Sequence, residues 1–165
     1  MSRDLSPCIV FIGHSFAPRC NSYVLHAFRE TMQAIEREVN SASEASGAPR
    51  VAFVTEIDGQ GQVMRAALLR VLAEARLGVI DISDNNPNVL FELGHLAARG
   101  VPLMILKSED SFSTGYKIPV YVDPKDVESY AHVGDVKAGV TRWLRAQMRL
   151  AMGAGAASGL PEAAL

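Results

Sequence analysis

The sequence predicts an α/β protein: a single doubly wound domain in which a mostly parallel five-stranded sheet is flanked by helices. Three observations carry that expectation. Short, continuous apolar runs at residues 8–12, 51–54, 77–82 and 101–106 have the length and β-branched content of strands buried on both faces. Between them lie longer stretches whose apolar residues recur at three- and four-residue steps, the period of an amphipathic helix. Strands that alternate with helices at this spacing need crossovers, and right-handed crossovers place helices on both faces of a parallel sheet.

Each element follows from its own residues. Pro7 precedes the first strand, 8–12, which delivers the loop Gly13-His14-Ser15-Phe16. Over 22–39, Val24, Leu25, Phe28, Met32 and Ile35 mark an amphipathic helix. The Ser-, Ala- and Gly-rich stretch 40–50 has neither period nor bulk and is expected to be a surface loop before the short strand 51–54. A broad apolar face over 62–75 predicts a second helix, and 77–82 a central strand. After the turn 83–86, Asn86 is placed as a cap, Pro87 as a first helical residue and Gly100 as the stop of a helix reaching about Arg99. Strand 101–106 follows, then a last short strand at 118–122. Val136, Val140, Trp143, Leu144 and Met148 mark a closing helix over 133–150. Residues 1–150 thus form the domain, of flavodoxin-like or Rossmann-like type, and 151–165 are expected to be a disordered tail.

Composition narrows the function. A chain of 165 residues, 48% hydrophobic, is long enough for one well-buried core and short for two. Its net charge of −2 offers no basic excess to neutralise a phosphate backbone, so no long nucleic acid is expected as a partner. The longest apolar stretches are too short to span a bilayer and the first residues are polar, which predicts a cytoplasmic protein without membrane contact. Cys8 and Cys20 lie neither in a CxxC pair nor near a histidine at zinc-ligand spacing, so no metal site is expected. Small-molecule ligands fit this balance best.

In an open α/β sheet, ligands bind beyond the carboxyl ends of the strands, near the point where strand order reverses. Two loops meet that description. In the first, Gly13 lets the backbone approach a ligand while His14, Ser15 and Phe16 line it; the alternative is that Gly13 serves a tight turn and His14 and Ser15 cap the next segment. There is no GxGxxG and no GxxxxGK[ST], so neither a dinucleotide-cofactor fingerprint nor an ATP loop is present. The second loop, Asp81-Ile82-Ser83-Asp84-Asn85-Asn86-Pro87-Asn88, links a strand to a helix whose free N–H groups can receive an anion. Ser83, Asn86 and Asn88 are its binding candidates. Asp81 near the strand end and Glu92 just over one helical turn past Pro87 can face one crevice, with room for a ribose between them. The plainer alternatives are that Glu92 pairs with His95 or Arg99 and that Asp81 fixes the loop. Asp58, Asp110, Asp123, His26 and His132 read as structural or surface residues.

The block Gly78-Val79-Ile80-Asp81-Ile82-Ser83-Asp84-Asn85-Asn86-Pro87-Asn88-Val89-Leu90-Phe91-Glu92-Leu93-Gly94-His95-Leu96-Ala97-Ala98-Arg99-Gly100-Val101-Pro102 resembles the hallmark segment of the nucleoside 2-deoxyribosyltransferase-like superfamily. Its strand-end aspartate, Asn-Pro-Asn-Val turn, aromatic-Glu-Leu-Gly and Gly-x-Pro carry the likeness, and the element order over most of 8–150 agrees. A related topology and a similarly used glutamate occur in TIR and TIR-like domains, many of which cleave NAD or make signalling nucleotides in bacterial antiviral defence. The resemblance implies cleavage of an N-glycosidic bond with Glu92 as the catalytic glutamate, on NAD or a nucleoside monophosphate, with no cofactor and NAD entering only as substrate. One carboxylate suffices for such chemistry, because the reaction passes through an oxocarbenium-like sugar that it can attack or stabilise. TIR-like enzymes often assemble to complete the site, so a homo-oligomer is also implied, with Phe112 and Tyr116 as contact aromatics. Two departures shape the expectation. Deoxyribosyltransferases carry Ser/Asp-Gly-Thr where this chain has Asn86-Pro87-Asn88-Val89, so transfer between free nucleosides is not expected. The first loop lacks the tyrosine or Gly-rich phosphate pattern of related nucleotide hydrolases, although Tyr23 lies within reach on the first helix. The alternative to an enzyme is a nucleotide-sensing or interaction module of the same fold without turnover.

Overall fold

The computed structural model describes residues 6–15, 22–46, 48–55, 61–109, 118–119 and 122–157. In chain order these form β1 (Cys8–Gly13), α1 (Ser22–Ser46), β2 (Val51–Val54), α2 (Gly61–Glu74), β3 (Leu77–Asp81), α3 (Pro87–Ala98), β4 (Leu103–Ser108), a 3₁₀ turn (Pro124–Asp126), β5 (Val127–Tyr130) and α4 (Val133–Ala157). The five strands make one sheet in the order β2-β1-β3-β4-β5, parallel at every pairing. This is a flavodoxin-like α/β fold. The chain steps outward from β1 to β2, then returns past β1 to β3, so the loops leaving β1 and β3 diverge and open a crevice between them.

Successive side chains of a strand point to opposite faces, and both faces here are covered. Val10, Ile12, Val79, Met104 and Leu106 pack against Phe28, Met32, Ile35 and Val39 of α1 and Val136, Val140, Leu144 and Met148 of α4. Phe11, Ile80 and Ile105 pack on the other side against Leu72 of α2 and Val89, Leu93 and Leu96 of α3. That double burial is why the strands read as unbroken apolar runs. Among the described residues, no helix is long and apolar enough to cross a membrane.

Four boundaries differ from the sequence expectation. The stretch 40–50 is not a surface loop throughout: α1 continues to Ser46, with Asn40 and Ser43 buried. The carboxamide of Asn40 bonds the backbone of Val51, so a polar residue that argues against a buried face belongs to one. β4 starts at Leu103 rather than 101, because Val101 N–H bonds back to Leu96 O and completes the end of α3, where Gly100 takes φ +67°. The last strand is Val127–Tyr130, not 118–122; residues 118–119 and 122 are irregular and 120–121 lie outside the described residues. Its middle positions, Glu128 and Ser129, are exposed, so this edge strand carries no apolar run to announce it. Finally, α4 runs past 150 to Ala157, so the expected tail is helical that far, its alanines outweighing Gly153 and Gly155. Residues 158–165 lie outside the described residues.

Candidate active site

The site is assembled where β1 and β3 end. After Asp81 the chain turns with Asn85 N–H bonding Ile82 O at 3.1 Å, and Asn85 takes φ 51°, a left-handed conformation that asparagine tolerates better than most side chains. Asn86 then caps α3: it is extended (φ −68°, ψ 124°), its side-chain oxygen accepts from Asn88 N–H at 2.9 Å, and its carbonyl accepts from Leu90 N–H at 3.0 Å. The other end of the same carboxamide donates to Ser15 Oγ at 3.1 Å, across 71 residues of sequence, and so ties the β1 loop to the β3 loop. Ser15 and Asn86, each expected as a binding residue of its own loop, are thereby joined to each other as a brace. Asn88 is exposed. Pro87 has no N–H and Asn88 N–H is taken by the cap, so little of the expected anion cradle at this helix start remains.

Gly13 and Glu92 meet in the crevice. A Cβ built on Gly13 would lie 2.9 Å from Glu92 Oε2 and 2.8 Å from Ile80 Cδ1, so the glutamate's carboxyl occupies space that only glycine leaves open. Glu92 is half-buried, and among the described residues no hydrogen bond or ion pair holds it. Neither alternative partner reaches it. Arg99 donates instead to Leu72 O and, at 3.2 Å, to Ala75 O, fastening α3 to the end of α2. His95 packs on the exposed Phe91, with ring centroids 6.2 Å apart. Burial without compensation disfavours the charged form, and pushes the Glu92 pKa up to about 7.

Asp81 stands in contrasting surroundings. Its Oδ1 accepts from Ser83 N–H at 2.9 Å and Ser83 Oγ–H at 2.5 Å, and its Oδ2 accepts from Tyr130 O–H at 2.7 Å. Ser83 Oγ in turn accepts from Ser108 N–H at 2.7 Å. The network therefore links the carboxyl ends of β3, β4 and β5. Burial raises the Asp81 pKa, opposed by the hydrogen bonds from Ser83 and Tyr130. Three donors converging on one carboxyl are the arrangement that the loop-fixing alternative for Asp81 expects. Ser83 is likewise part of this brace.

His14 is also an anchor and not a displayed ligand group: it is 5% exposed, its Nδ1 lies 3.3 Å from Ser15 O, and its ring tilts against Phe28 of α1 at 5.2 Å. Phe16, Asp58, Asp110, Phe112, Tyr116 and Cys20 lie outside the described residues, as does the side chain of Tyr23. His26 is an exposed surface residue 3.3 Å from Glu30, and Asp123 accepts from Lys125 N–H at 2.9 Å to start the 3₁₀ turn. Among the described residues no group of three His, Cys, Asp or Glu side chains is placed to hold a metal. Sequence reasoning missed Tyr130 and Ser108, whose partners lie 49 and 25 residues away and leave no local signal.

The fold and the site define a flavodoxin-like domain whose β1/β3 switch point holds the half-buried Glu92 carboxyl, unpaired among the described residues. No family model matches the chain, and no curated protein matches it.

Proposed function

We propose that the protein cleaves the N-glycosidic bond of a nucleotide, NAD or a nucleoside monophosphate, with Glu92 as the catalytic group. The observation that carries the reading is the Glu92 carboxyl: half-buried, seated over Gly13 at the switch point, without a hydrogen-bond or ion-pair partner among the described residues, and with its pKa pushed up to about 7 by burial. The resemblance of the segment 78–102 supports the same residue and the same chemistry.

Cleavage breaks the bond from C1′ to the base nitrogen and the electron pair leaves with the base; water adds to C1′ as a hydroxyl, and its other proton goes to solvent when NAD is the substrate and makes good the proton taken by the base when a nucleoside monophosphate is. An ionised Glu92 stabilises or traps the cationic sugar in between. Nicotinamide leaves NAD as a neutral base and takes no proton, whereas an ordinary base leaves as an anion unless protonated. A carboxyl with a pKa near 7 populates both forms close to neutrality, so it serves the first substrate ionised and the second protonated. A cytoplasmic role in antiviral nucleotide depletion fits that chemistry.

The test is incubation with NAD, nucleoside monophosphates and deoxynucleosides, with products resolved chromatographically beside Glu92→Gln. Base release by the wild type alone supports the proposal; equal release by the variant removes it. A second reading, nucleotide sensing without turnover, is favoured by one observation: both oxygens of Asp81, the strand-end acid expected beside Glu92, already accept hydrogen bonds from Ser83 and Tyr130. It expects saturable binding with no base released on long incubation.

A further inference from the structure

β2 is an outer strand of the sheet, paired with β1 on one side only, Cys8 opposite Val51 through Phe11 opposite Val54. Cys8 N–H bonds Arg50 O at 2.7 Å, so Val51 and Phe53, next in the alternation, turn their backbone groups outward. An outer strand with open N–H and C=O groups is a template for another chain, and Val51-Ala52-Phe53-Val54 has no charge, proline or glycine to discourage pairing.

Three of those four outward groups, all but the Phe53 carbonyl, are already taken. The Asn40 carboxamide donates from Nδ2 to Val51 O at 3.0 Å and accepts at Oδ1 from Val51 N–H at 2.8 Å. This is the pair of bonds that one residue of a neighbouring strand would make. Four residues earlier on α1, Glu36 Oε1 accepts from Phe53 N–H at 2.9 Å. Asn40 is buried where it makes these bonds, on the part of α1 that continues to Ser46. A helix whose only task was to cover the sheet would need neither side chain.

We propose that Asn40 and Glu36 act as a guard on the β2 edge: they stand in for a strand and so prevent β2 from pairing, antiparallel and two-fold, with β2 of a second copy of this chain. The surface is independent of the Glu92 crevice.

The experiment compares wild type with the double variant Asn40→Ala/Glu36→Ala by sedimentation across a wide concentration range and by amide hydrogen exchange. In dilute solution the double variant is expected to exchange the Val51 and Phe53 amides at least roughly tenfold faster than wild type. At high concentration it should double in mass and regain protection at those same two amides, while wild type changes in neither respect. A folded double variant that keeps wild-type size and exchange overturns the proposal, and so does association that leaves Val51 and Phe53 unprotected. Should the double variant fail to fold, Glu36→Ala alone reads the Phe53 amide, and Glu36→Gln, which keeps the acceptor, must behave as wild type. Equal Phe53 exchange in all three proteins overturns it as well.

Discussion

Replacing Glu92 by glutamine should stabilise the protein while abolishing its turnover. The folded pKa is raised from 4.5 to about 7 by desolvation, so between those values the folded state holds a proton that the unfolded chain releases. Stability from this group is therefore fully present at acid pH and lost as pH rises through about 7. The full shift corresponds to a ceiling of about 3 kcal/mol. Solvent reaches part of the carboxyl, and about 1–2 kcal/mol is the expected penalty once screening is allowed for. Glu92→Gln removes that penalty without changing shape. Urea unfolding of both proteins at a series of pH values should give similar stabilities near pH 4.5 and a gap of about 1–2 kcal/mol in favour of the variant above pH 7. Taking the difference between the two proteins isolates Glu92 from Asp81, whose pKa is also raised. A wild type as stable as the variant at alkaline pH would mean that Glu92 has a partner or lies in water, and the argument for a poised carboxyl would fail.

Three further outcomes follow from the site. Gly13→Ala brings a methyl group to 2.8 Å from Ile80 Cδ1 and 2.9 Å from Glu92 Oε2, and should cost about 1–3 kcal/mol in thermal unfolding while displacing Glu92 and lowering activity. Tyr130→Phe leaves Asp81 short of one donor, for a loss of about 1–3 kcal/mol, with faster amide exchange at Ser83 and Ser108 as its local readout. Asn86→Ala loses both the α3 cap and the link to Ser15, about 1–2 kcal/mol, and a double-mutant cycle with Ser15→Ala should show the two residues coupled. Independent losses at Asn86 and Ser15 would show that the two loops are not braced.

The parts of the fold that the sequence revealed are those whose signals are local. The buried strands β1 to β3, the Asn86 cap, Pro87 at the first helical position and the stop at Gly100 each rest on a residue's own backbone preference or on an apolar run. Glu92 and Gly13 were legible as candidates, yet their contact was not, because it spans 79 positions and depends on which way α3 rotates about its axis. The features that stayed hidden are polar groups whose partners are distant. Asn40 looked like the start of a loop because its partner is an edge strand, and Tyr130 gave no cue because its hydroxyl acts on β3. β5 was misplaced for a related reason: an edge strand with exposed Glu128 and Ser129 has the composition of a turn. The His95 and Arg99 pairings failed because Arg99 found two carbonyl oxygens on α2.

The central claim, that Glu92 cleaves a nucleotide's N-glycosidic bond, is tested most directly by following base release from NAD and from nucleoside monophosphates with wild type and Glu92→Gln side by side. The account predicts free nicotinamide or nucleobase with the wild type and none with a variant that still folds. Release undiminished in Glu92→Gln, or no release by a wild type that saturably binds the nucleotide, would contradict it.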